Sequence, residues 1–111
     1  MKLGKSSEAE EMMMAAVKDP ATTSFQIHTV GRQLINNGQK EKALEVFEYN
    51  HEHFAGAWPT NVGMARGLAA LERYDEALKY AEMAYEEAPD QLNKDAMKAA
   101  VEKLKMKQDI N

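Results

Sequence analysis

The stretch EKALEVFEYN, Glu41 to Asn50, returns in altered form as DEALKYAEMA, Asp75 to Ala84. Ala43 and Ala77 align across the two copies at a spacing of 34 residues. A fixed period of this size marks repeat architectures, in which each unit is one supersecondary element that buries its apolar face only by stacking on a neighbour. A chain of 111 residues has room for little more than two such units and a flanking element at each end. The repeat therefore restricts the fold before any other property does.

The local signals are all helical, with no strand candidate. Ser6 or Ser7 is expected to cap a first helix, with Glu8, Glu10 and Glu11 in its first turn, where carboxylates favour the positive end of the dipole. Pro20 ends it near Lys18-Asp19. The residues ATTS supply caps for a second helix from Ser24 to Asn36, and Gly38 suits the left-handed position that closes it. A third helix is expected over Lys40 to Phe54, and a fourth over Pro59 to Leu71. Asp75 is expected to cap a fifth, which runs to Ala88 and is stopped by Pro89. A last helix starts at Asp90 or Asn93 and runs to Lys107, with Ala96, Met97, Ala100, Val101 and Leu104 at helical spacing. Connections of a few residues make neighbouring helices antiparallel.

In register, Val30 pairs with Met64, Gly31 with Ala65, Arg32 with Arg66, Leu34 with Leu68, Leu44 with Leu78, and Phe47 with Ala81. Small residues at fixed places allow one helix to cross another closely. This pattern resembles the tetratricopeptide repeat (TPR), through Val30-Gly31, Ala43 and Phe47 in the first copy and Met64-Ala65, Ala77, Ala84 and Pro89 in the second. The departures are Ile27 and Asn61 at the early tryptophan, Ala81 at the phenylalanine, and Asn50 at a place where alanine is usual. The resemblance implies an all-α fold of two TPR-type hairpins in an antiparallel, right-handed superhelical array. Residues 1–111 then form one helical domain: a flanking helix in 1–19, repeats at 24–57 and 58–91, and a capping helix at 92–107. Flanking helices are expected, because two repeats alone leave apolar end faces uncovered.

A narrower resemblance lies in TTSFQIHTVGRQLINNGQKEKALEVFEYN, AWPTNVGMARGLAAL and APDQLNKDAMKAAVEKL. These segments are similar to the carboxy-terminal tail of an uncharacterised bacterial family, whose members carry an exported β-rich domain before it. The resemblance implies an extracytoplasmic setting and supplies no activity. The opening MKLGKSSEAEE has no apolar core of the kind a signal peptide needs.

Lys+Arg 14 against Asp+Glu 18 gives a net charge of −4, which argues against nucleic acid as a partner, since that binding needs clustered positive charge. There is no cysteine, so disulfide and thiolate chemistry are excluded. No apolar run approaches the ~18 residues that a membrane-spanning helix requires.

No constellation for catalysis or metal binding assembles in the sequence. Glu48 and His51 have the Glu-x-x-His spacing of di-iron bundles, but that centre needs the motif twice and two further glutamates. His51 and His53 are two apart and face different sides of a helix. Ser6, Ser7 and Ser24 are accounted for as caps. No enzyme activity and no cofactor is expected.

The candidate site comes from the TPR resemblance, which places the first helix of each repeat along a concave face. The residues it assigns there are Phe25, His28, Arg32, Ile35 and Asn36, then Pro59, Val62, Arg66, Ala69 and Ala70. Arg32 and Arg66 are equivalent and should stack along the groove. Two guanidiniums over an apolar strip suit a carboxylate or an acidic peptide; the other reading is a pair of structural arginines bonded to nearby glutamates. The Lys and Asn positions of the carboxylate clamp in chaperone-binding members are His28, Arg32 and Gly63 here, so that clamp is absent. Met12, Met13 and Met14 fan around a helix and cannot all face one core. They are either flexible core filling or a contact for a second chain. The expected function is protein or peptide binding, with self-association into a homodimer as the competing reading.

Overall fold

The computed structural model describes residues 11–111. The caps expected at Ser6 or Ser7 and the first-turn carboxylates of Glu8 and Glu10 lie outside those residues. The described part is helical throughout, with no strand. Helix α1 covers residues 11–18, followed by α2 (Ser24–Asn36), α3 (Lys40–His53), α4 (Trp58–Ala70), α5 (Tyr74–Glu87) and α6 (Gln91–Lys105).

Each start has a local cause. Thr23 forms a capping box with Gln26: its hydroxyl accepts from the Gln26 N–H at 3.2 Å, and the Gln26 side chain accepts from the Thr23 N–H at 2.8 Å. Asp90 caps α6 by accepting from the Asn93 N–H at 2.8 Å. Pro59 lies in the first turn of α4, where its missing N–H costs nothing. Helix α5 departs from expectation. Its cap is Arg73, which makes no side-chain cap bond, and Asp75 lies inside the first turn, where its charge meets the helix dipole.

The bounds of α2 and α3 recur 34 residues later, residue for residue, as those of α4 and α5. The closing turns recur as well. After α2, Gly38 takes a positive φ of 81°, its N–H bonding to Ile35 and that of Gln39 to Leu34. After α4, Glu72 takes φ 61°, with Glu72 bonding to Ala69 and Arg73 to Leu68. After α6, Lys107 takes φ 56°, with Lys107 bonding to Leu104 and Gln108 to Lys103. All three are Schellman turns, in which a left-handed residue lets two amides satisfy the last orphan carbonyls. Helix α6 thus ends as α2 and α4 do, and as α3 and α5 do not.

Every helix from α2 to α6 packs on its neighbours in sequence, and α2 also packs on α4. The radius of gyration is 13.9 Å, against about 13 Å for a compact chain of this length. The centre is Phe47 of α3, fully buried. Its ring lies against Gly31 of α2 and against Gly63 and Gly67 of α4, and a Cβ on Gly63 would come within 2.5 Å of it. Three absent side chains make the space for one aromatic ring, which locks α2, α3 and α4 together. Ala43 and Ala77 are both 0 % exposed, as expected of paired crossing points.

Several core residues escaped the sequence reading. Val46 and Ile27 are fully buried, and Asn50 is a buried polar residue. Asn50 is tied to the start of α2: its Oδ1 accepts from the Ser24 hydroxyl at 2.9 Å and its Nδ2 donates to the Ser24 carbonyl at 3.1 Å. That pairing explains how an amide occupies a place where alanine is usual, since a buried polar group is tolerated when it is bonded. Among the Met12–Met14 run, Met13 and Met14 pack on the core, as does the buried Val17 of α1. Met12 is 74 % exposed.

Candidate functional site

Helix α4 lies against α2, α3 and α5. Every residue from Pro59 to Ala70 is buried except Arg66. Ala69 and Ala70, expected on an open groove, are therefore covered and contribute packing rather than accessible surface, as does Pro59, while the largely buried Val62 keeps only an edge on a small hollow. The cause is the run of small residues in α4, which lets its neighbours approach on several sides. The accessible part of the expected face is consequently narrower. Phe25, Arg32 and Asn36 are exposed, while His28, Ile35 and Arg66 are half-buried.

His28, Arg32 and Arg66 form one electrostatic cluster across the contact of α2 with α4. The His28 ring packs on Phe47, with centroids 5.4 Å apart and planes tilted by 55°. Burial pushes the imidazole down to about 4, and the charges of Arg66 and Arg32 act in the same direction, against the Pro59 carbonyl. His28 is neutral at neutral pH, and the positive charge of the cluster belongs to the two arginines. Its Nδ1 is buried without a hydrogen-bond partner.

Burial and Arg32 likewise lower the Arg66 guanidinium from its usual value, while Asp109 opposes them. Among the described residues, neither arginine has a carboxylate within 4.0 Å, unlike Arg73, whose ion pair with Glu76 measures 2.8 Å. The Arg66 Nε is buried and unpartnered. Among the described residues, no glutamate makes the bond that the alternative of structural arginines requires. A half-buried guanidinium, Arg66, thus lies in the field of an exposed one, Arg32, with no carboxylate of the described residues in contact with either, an arrangement suited to receiving an anion.

The other singled-out residues go elsewhere. Tyr49 stacks on His53 at 3.9 Å, and His51 meets Tyr80 edge-on at 5.6 Å, so the two histidines serve separate aromatic contacts. Among the described residues, no three His, Asp or Glu side chains are grouped as a metal site would require, and no helix is long and apolar enough to cross a membrane. Two features were not foreseen from the sequence: the return of residues 109–111 to α4, and the neutral His28 beneath the arginines. Comparison with protein-family models, curated proteins and solved structures gave no match.

Proposed function

We propose that the chain is a two-repeat array of tetratricopeptide type, wound as a right-handed superhelix, that binds an acidic peptide or protein segment and has no chemistry of its own. The 34-residue recurrence of helix bounds and closing turns supports the architecture. The observation that carries the function is the pair Arg32 and Arg66, equivalent in the repeat, with Arg32 close enough to lower the Arg66 guanidinium, and with no carboxylate of the described residues in contact with either. On a chain of net charge −4 this cluster is a local reversal of sign, which favours an anionic segment and orients its approach. The test compares proteins captured from a source extract by the native chain and by the Arg32→Glu, Arg66→Glu double variant. Selective loss of a captured protein, with helicity unchanged, is expected; an identical set overturns the reading.

Self-association is a second reading, carried by Met12, which is 74 % exposed on a helix whose next two methionines pack inward. Methionine adapts to an imperfect partner surface, and a symmetric dimer is the simplest closed assembly.

A further inference from the structure

The Schellman turn after α6 matches the turns after α2 and α4, but residues 108–111 are not helical. The chain instead returns to α4. The Asn111 Nδ2 donates to the Arg66 carbonyl at 2.9 Å. The Asp109 carboxylate accepts from the Asn111 backbone N–H at 3.1 Å and from its side-chain amide at 2.8 Å, which holds the three residues in one turn. Ile110, between them, is half-buried against the core. It borders a hollow of about 120 Å³ together with Val62, Arg66, Met97, Ala100 and Lys103.

This short segment carries a carboxylate, a branched aliphatic side chain and an amide, and each lies near a complement: the Arg66 charge, the apolar floor between α4 and α6, and the Arg66 backbone carbonyl, which the amide shares with the helix. The fit is incomplete at two points. Asp109 directs its hydrogen bonds to Asn111 rather than to the guanidinium, so the Arg66 Nε keeps no acceptor. The hollow beside Ile110 also remains open. A segment that placed its carboxylate on the Arg66 fork and a larger aliphatic group in the hollow would satisfy what residues 109–111 leave unsatisfied.

We propose that residues 109–111 occupy this part of the groove as a self-ligand, and that the external partner is a short segment in which Asp or Glu directly precedes a branched aliphatic residue and displaces them. The proposal rests on the groove reading above and specifies the chemistry of the partner. When the competent state is only partly populated, the apparent dissociation constant is the intrinsic one divided by the open fraction. Weakening the hold of residues 109–111 therefore tightens binding of a ligand supplied from outside.

The experiment uses the full chain and, as probe, a fluorescent peptide of residues 105–111, KMKQDIN, followed by anisotropy. The Ile110→Ala chain is expected to bind it saturably and about tenfold more tightly than the native chain, for an open fraction of roughly one tenth in the latter. Asn111→Ala, which removes only the exposed amide, serves as a second variant if Ile110→Ala loses helicity. Binding is expected to vanish with a peptide carrying Asp109→Asn, or with Arg66→Gln in the chain. Equal binding by native and variant chains, no saturable binding to either variant, or full binding of the Asp109→Asn peptide overturns the proposal. The amide resonances of residues 62–66 should also shift in Ile110→Ala without any peptide, and unchanged resonances exclude the self-ligand. Loss of capture in the arginine double variant, combined with no effect of Ile110→Ala, would retain the groove reading and remove only this inference.

Discussion

The Phe47 ring occupies the volume in which a side chain on Gly31 would lie. A Cβ at Gly31 would overlap two ring carbons, and the ring has no room to retreat because Gly63 and Gly67 hold its other side. Alanine usually gains up to ~1 kcal/mol over glycine in a helix, but overpacking in a closed core costs ~1–3 kcal/mol. Gly31→Ala is therefore expected to destabilise the fold, read as a lower urea midpoint. In a double-mutant cycle, Phe47→Leu should cost less in the Gly31→Ala background than in the native one. Additive effects would mean that the two positions do not meet.

Ala77 is the counterpart of Ala43 in the second repeat and is equally buried. Ala77→Leu is expected to cost ~1–3 kcal/mol by forcing α4 and α5 apart. An unchanged melting curve would show that the helices do not cross there.

Glu72 takes the left-handed conformation that Gly38 takes one repeat earlier, at φ 61° and 81°. Nothing lies within 4 Å of a Cβ built on Gly38, so only the backbone distinguishes the two sites. Glu72→Gly is expected to stabilise by about 0.5–1 kcal/mol, and Gly38→Ala to destabilise by a similar amount. Paired chemical denaturation of the two variants measures both signs, and a destabilised Glu72→Gly contradicts the account.

His28 couples stability to pH. Its folded value is about 4, below the ordinary 6.5, so the unfolded state takes up a proton first as pH falls. Above pH 6.5 the residue contributes no slope. Between 6.5 and 4 stability should fall, by at most about 3 kcal/mol, and below 4 this loss levels off. The groups facing the ring are Arg66, Arg32, Phe47 and the Pro59 carbonyl. Carboxylates titrate in the lower part of this window, so the measurement is the difference between the native chain and His28→Gln. Parallel stability profiles for the two proteins from pH 4 to 6.5 would exclude the coupling.

For self-association the measurement is sedimentation equilibrium at high micromolar concentration. A dimer is expected if the exposed Met12 forms a contact, and Met12→Lys together with Met13→Lys should return it to monomer. A native monomer removes the reading. A dimer that survives both substitutions moves the contact away from α1.

The helices were legible because their boundaries rest on local chemistry: Thr23 and Gln26 form a capping box, Asp90 caps, and Gly38 supplies the left-handed turn. The cap assigned to Asp75 failed because Arg73 follows a Schellman turn at Glu72, a residue type that gives no signal for positive φ. Asn50 reads as polar and exposed in isolation; only the start of α2, a full helix away, makes it a core residue. The same limit applies at the candidate site. Equivalence under the 34-residue period brought Arg32 and Arg66 forward. Period alone could not foretell that the small residues of α4 would be covered, or that Ile110 and Asn111 would return to Arg66.

The three matching Schellman turns carry a consequence for how such a chain can change in length. Gln39 and Arg73, each directly after a left-handed residue, are the caps of α3 and α5, and Gln108 stands at the same place after α6. Because the turn is closed by its own two hydrogen bonds, it delivers the next segment in a fixed direction whatever that segment is. Growth is therefore quantised. A 14-residue helix spliced in at Gln108 would leave its turn as α3 and α5 leave theirs, whereas an insertion that breaks the 34-residue count inside either repeat would misplace every crossing point beyond it.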